Sequence, residues 1–226
     1  MSNFKIISWN VNSYNPRLNG INRIITDYSP DIILLQETRC AEIVREDYFV
    51  YHNPGTNGRN GVAILSKEPL ILLPMDNWHE RIIVGMVGDL FIGSVYIPNG
   101  GSKLSPINDK IKCIEYIINN KIDNLILGGD WNIAYRSKDI MNENPYCNEQ
   151  ITILKKLDKI YIHQEDNAYK NYYTWYDYRD INYTNGLGID KFYFSIPMNH
   201  KITILREFMD IEKPSDHIPI MCTISI

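Results

Sequence analysis

One Glu, three Asp, two Asn and one His stand at the ends of short apolar runs in this chain. Phe4–Trp9 runs into Asn10, Asp31–Gln36 into Glu37, and Leu125–Gly129 into Asp130, with Asn132 two residues further on. Later the order reverses: Asp190 opens the run Ile189–Phe194, and Ser215, Asp216 and His217 open Ile218–Ile226. Carboxylate oxygens suit a hard divalent cation, amides orient water or phosphoryl oxygens, and an imidazole steadied by a carboxylate stabilises developing negative charge. Together they compose a site for metal-assisted phosphoester cleavage. The condition is topological: the late strands must run antiparallel to the early ones, so that all these groups share one edge. Taken singly, Glu37 is an ordinary solvated glutamate, Asn10 a turn residue, Asp130 or Asn132 an Asx turn, and His217 a structural histidine.

The elements that must position these groups are legible as alternating patterns. Short apolar runs read as buried strands, including Gly61–Lys67 and an aromatic run Tyr173–Tyr178. Arg81–Val87 and Leu90–Ile97 flank Gly88-Asp89, a tight hairpin turn. Helical spacing appears over Pro16–Tyr28, Ser105–Asn119 and Ile151–Ile160. In Ser105–Asn119 the apolar surface is assigned to Ile107, Ile111, Ile114, Tyr116 and Ile118. Two glycines, Gly128 and Gly129, are expected to bend the chain sharply before Asp130. Helices early and hairpins later favour two packed mixed sheets with helices outside over a purely parallel fold. Strand order is not readable from these patterns. With no linker or repeat, residues 1–226 are expected to form a single catalytic domain.

Hydrophobic residues make up 44% and charged ones 22%, which excludes a disordered chain. No apolar stretch approaches the ~20 residues of a membrane span. The N-terminus lacks a basic-then-apolar leader, so the protein is expected inside the cell, in cytoplasm or nucleus, and not secreted. Cys40, Cys113, Cys147 and Cys222 show no paired metal-ligand spacing and are expected reduced. His52, His79, His163 and His200 are read as structural. A net charge of −4 does not advertise a nucleic-acid face, although a divalent cation offsets local carboxylates. The glycine-rich stretch Gly55–Gly61 precedes a strand, so it is a loop rather than a phosphate cradle.

Eight segments in order carry a family resemblance: Ser8–Asn12, Leu35–Thr38, Gly61–Ser66, Tyr96–Gly100, Gly129–Asn132, Tyr173–Arg179, Gly186–Asp190 and Ser215–Pro219. The chain resembles the endonuclease/exonuclease/phosphatase superfamily, and within it the exonuclease III type of apurinic/apyrimidinic endonuclease. The resemblance implies a four-layer α/β sandwich of two mixed sheets flanked by helices. It implies Mg2+-dependent hydrolysis of a phosphodiester, with Mn2+ able to substitute. It assigns Glu37 as the main metal ligand, with Asn10 and Asp216 beside it, and Asp130 to the attacking water. Asn132 and Tyr96 then bind phosphate, and Asp190 pairs with His217. Trp175, Leu187 and Ile189 would line a pocket for a flipped, base-free sugar, with Asn99 and Arg179 as further substrate contacts. Arg17, Arg39, Arg136 and Lys138 are additional candidates for phosphate.

The implied partner is double-stranded DNA carrying abasic or 3′-blocked lesions, cut by a monomer on the 5′ side of the abasic site, with 3′-end trimming as a companion activity. Two departures bear on substrate. Gly188 stands where the family usually has Arg, and the stretch from Asp139 to Tyr172 is short. These keep open a nuclease of other specificity (retroelement-type endonuclease or RNA exonuclease) or a small-molecule phosphodiesterase. An inactive nucleic-acid-binding scaffold would have lost one of Glu37, Asp130, Asn132, Asp190 or His217, and all are present.

Overall fold

The computed structural model describes residues 3–74, 80–99, 104–163, 171–177, 179 and 182–225. His79, Gly100 and Tyr178 lie outside the described residues. One six-stranded sheet contains β1 (Asn3–Asn10), β2 (Ile32–Gln36), β3 (Phe49–Asn53), β4 (Val62–Ser66), β13 (His200–Ile204) and β14 (Ile220–Ser225). Its order is β13-β14-β1-β2-β4-β3. The second contains β5 (Ile71–Leu72), β6 (Ile82–Val87), β7 (Leu90–Tyr96), β8 (Leu125–Asp130), β9 (Ile162–His163) and β12 (Asp190–Phe194), ordered β5-β6-β7-β8-β12-β9. A two-stranded ribbon, β10 (Trp175–Tyr176) with β11 (Gly186–Leu187), crosses the rim. The aromatic run expected as one strand is therefore strand-like for only two of its described residues, because it pairs only with the short β11.

Each sheet is built around one parallel pair, β1 with β2 and β7 with β8. The crossovers carry α1 (Leu18–Tyr28) and α2 (Leu104–Asn119) respectively. All other pairings in the two sheets are antiparallel. The facing sides interdigitate as one core, with Ile6, Leu34 and Ile64 meeting Ile92, Ile126 and Phe192. The outer side of the first sheet packs Trp9 and Leu35 on Ile21 and Ile24 of α1. The second packs Val95 and Leu127 on Ile114 and Ile117 of α2 and on Leu154 of α3 (Asn148–Leu157). Helix, sheet, sheet, helix make four layers, as the resemblance implies. Covering both faces explains why β2, β4, β8 and β12 are buried along their whole length.

The two glycines before Asp130 do not bend the chain, contrary to the expectation from sequence: β8 runs straight through both. They are there for close approach. A Cβ on Gly129 would stand 1.9 Å from the Val95 carbonyl oxygen, and one on Gly128 would meet Phe192 and Leu34 at 2.5 and 2.7 Å. All four cysteines are free thiols. Among the described residues no helix is long and apolar enough to cross a membrane.

Candidate active site

Strand register brings the polar residues together. Asn10 pairs with Gln36 in the parallel ladder, so β1 and β2 end at one level, and Glu37 leaves β2 in a left-handed turn at φ 50°. Tyr96 pairs with Asp130 across β7 and β8, and Asp190 pairs with Asp130 across the antiparallel β12. β14 runs antiparallel to β1, which places Asp216 and His217, just ahead of it, beside the exit of β1. The indole of Trp9 fastens that approach by donating to the His217 carbonyl at 2.9 Å. The topological condition set by the sequence is met.

Asn10 is the hub. Its buried Nδ2 donates to Glu37 Oε1 at 3.0 Å and to Asp130 Oδ2 at 2.9 Å, while its Oδ1 accepts from the Asn12 amide at 3.0 Å. Asn132, also left-handed at φ 52°, donates its main-chain N–H to Asp130 Oδ1 at 2.8 Å. Its Nδ2 donates to Asp130 Oδ2 at 3.1 Å and to the Ile97 carbonyl at 2.9 Å. His217 Nδ1 lies 2.9 Å from Asp190 Oδ2, so Nδ1 donates there and Nε2 is turned toward Asp130 Oδ2, 3.8 Å away. The Thr174 hydroxyl donates to the same Asp190 oxygen at 2.7 Å and accepts from the amides of Ile189 and Asp190.

Charge crowding sets the electrostatics. Burial first, then Asp190 and Glu37, push the Asp130 carboxyl up to about 7, against the pull of His217. Burial disfavours the His217 imidazolium, but Asp190, Asp130 and Asp216 outweigh it and raise its pKa to about 10. Burial and the carboxylates of Glu37 and Asp130 raise the Tyr96 phenol far above its ordinary value, so it stays a protonated donor, hydrogen-bonded to Glu37. Ligand atoms of Glu37, Asp130 and His217 lie within 4.8 Å of one another. Two hard carboxylates crowding one spot, with Asn10 amide hydrogens already neutralising part of their charge, fit a divalent cation.

These groups open into a cleft of about 730 Å³. Asn99, Trp175, Leu187, Ile189 and Asp216 line it with the catalytic candidates. Asp216 is not in the three-residue cluster. Its carboxylate instead accepts from Asn12 Nδ2 at 2.9 Å and from the Trp175 indole at 3.1 Å. Arg179 does not line the cleft: it is exposed, and its guanidinium pairs with Asp177 at 2.7 Å. Of the other basic candidates, Arg39 lines the cleft, where it pairs with Glu37, while Arg136 is bound to Asp139. Gly188 has no room for a side chain, since a Cβ there would stand 1.9 Å from the Tyr172 carbonyl oxygen. Asn12 and Thr174 were not assigned from sequence. Asn12 lies in the segment Ser8–Asn12 and Thr174 in the segment Tyr173–Arg179, but their contacts to Asp216 and Asp190 form only in the folded chain.

Comparison with known proteins agrees with this geometry. The chain is 29% identical to exodeoxyribonuclease III of Haemophilus influenzae over 262 aligned positions, covering 96% of this chain and 98% of that protein. The structure superposes on a 3′-5′ exonuclease from Neisseria meningitidis with a TM-score of 0.84 at 25% identity, over 99% of this chain and all of the other. It superposes on an AP endonuclease from Archaeoglobus fulgidus with a TM-score of 0.83 at 24% identity, with the same coverage. The sequence profile of the Endonuclease/Exonuclease/phosphatase family matches residues 7–217, which span every group placed in the cleft, and the chain belongs to that family of hydrolytic enzymes.

Proposed function

We propose that this chain is a Mg2+-dependent DNA repair nuclease, a single catalytic domain acting as a monomer, that hydrolyses the phosphodiester 5′ to abasic sites in duplex DNA. The observation that carries the reading is the convergence of Glu37, Asp130 and His217 in a cleft also lined by Trp175, Leu187 and Ile189. Glu37, with Asp130 beside it, would hold the metal, which when bound supplies charge neutralisation at the phosphate. Mn2+ would serve in its place.

Asp130 takes the proton of the attacking water at Oδ2. Asn132 and Asn10 keep that carboxylate oriented through the bonds described above. His217, kept an imidazolium by the carboxylates of Asp190, Asp130 and Asp216, donates from Nε2 to a phosphoryl oxygen, and the Tyr96 hydroxyl donates beside it. The apolar wall accepts a base-free sugar, which is cheaper to extrude than an intact nucleotide because less stacking is lost. The likeness to the Neisseria 3′-5′ exonuclease supports a second reading, trimming of 3′ ends at the same centre.

The test uses duplex DNA with one tetrahydrofuran abasic mimic and an undamaged twin, each with Mg2+ or with EDTA. Mg2+-dependent incision 5′ to the mimic alone supports the reading. Equal cleavage of both duplexes, or of neither, moves the substrate to another phosphodiester.

A further inference from the structure

Lys110, on α2, is fully buried at 0% exposure. Lysine is almost never fully buried unless paired, and among the described residues no carboxylate reaches it at ion-pair distance. Its Nζ instead donates to the main-chain carbonyl of Asn132 at 2.7 Å and stands 5.0 Å from the centre of the Tyr146 ring. Lys110 and Tyr146 both border the cleft. Burial pulls the ammonium down to about 8, against the attraction of Asp130.

Asn132 makes sense of this placement. Its left-handed backbone turns the chain so that both Asp130 carboxylate oxygens are engaged, and its amide nitrogen and side-chain nitrogen are already committed. Among the described residues its carbonyl is held only by Lys110. An apolar side chain of similar size would fill the space but leave the Asn132 carbonyl without its donor. A charge-assisted donor is the stronger tether.

We propose that Lys110 is a positioning residue, whose ammonium holds the Asn132 carbonyl and so fixes the turn that presents Asp130 and Asn132 to the scissile phosphate. The proposal rests on the nuclease reading given above. Lys110→Met should fold with a modestly lowered Tm from the lost hydrogen bond, lose at least ~100-fold in kcat on the abasic duplex, and keep KM within about threefold. Lys110→Arg, which keeps a charged donor, should recover at least about tenfold of that loss. A Lys110→Met kcat within about threefold of the parent, or a loss expressed wholly in KM, overturns the proposal. If Lys110→Met fails to fold, Lys110→Gln carries the same outcomes.

A second arm needs no substrate: the NMR signals of the Asn132 amides and the Asp130 carboxyl should move in the Met variant and return toward parental positions in the Arg variant. A parent inactive on every duplex would defeat the nuclease reading instead. The NMR arm then decides, and unmoved signals overturn the positioning claim.

Discussion

Lys191 and Asp139 form an ion pair with no solvent exposure on either side chain, Nζ to Oδ2 at 2.9 Å, and Arg136 reaches the same oxygen at 3.1 Å from a partly exposed position. At an effective dielectric of ~20, attraction at that separation is about 6 kcal/mol, while burying each ion costs several kcal/mol. The pair as a whole is therefore close to neutral, but its halves are not equivalent. Asp139→Asn strands a fully buried lysine beside the Tyr172 ring and should destabilise by roughly 3–5 kcal/mol. Lys191→Met leaves Asp139 with Arg136 and should cost less, about 1–2 kcal/mol. For a chain of this length the aspartate change corresponds to a drop in Tm of about 6–20 °C. The double variant should be more stable than the sum of the two, with a coupling of about 2 kcal/mol or more. The assay is urea unfolding followed by circular dichroism for all four proteins. Asp139→Asn within about 1 kcal/mol of the parent, or Lys191→Met as the worse variant, would refute this account of the buried charges.

Four further outcomes follow from the site and its walls. Glu37→Gln should abolish Mg2+-dependent turnover with the melting curve intact; undiminished activity would remove Glu37 as the metal ligand. His217→Ala should lower kcat at least ~100-fold, read by single-turnover incision, and a near-parental kcat would take it out of the mechanism. Gly188→Arg, which restores the usual family residue, should destabilise by about 3 kcal/mol or more because Tyr172 backbone fills the space; thermal melting decides. Burial holds His200 below its ordinary pKa, so the unfolded chain takes up that proton first as pH falls. Its contribution is complete above pH ~6.5 and is lost below it, so His200→Phe should flatten the fall in stability between pH 7 and 5 measured by denaturant titration.

The groups at strand ends were legible because a single physical demand, a polar residue where a buried strand surfaces, marks Asn10, Glu37, Asp130, Asp190 and His217 alike. What sequence alone misjudged were effects that arise only across sheets. Gly128 and Gly129 look like a bend, yet they are needed because Val95, Leu34 and Phe192 press on β8. Arg179 looked like a phosphate contact, but Asp177, two residues away, claims it. Lys110 carried a signal that the apolar pattern of its helix obscures: with Ile107, Ile114 and Ile117 it falls at a spacing of three and four, so a lysine occupies the buried stripe.

The pairing of β14 with β1 joins Ser8 to Ile220, across nearly the whole length of the sequence. Closing a loop that long is slow relative to forming the β1–α1–β2 and β7–α2–β8 units, whose contacts are local. The carboxylates of Glu37 and Asp130 can therefore be in place while His217 is still absent, since it arrives only with the final strand. Completion of the site thus waits on the β14–β1 pairing, the contact that brings the imidazole to the acidic groove.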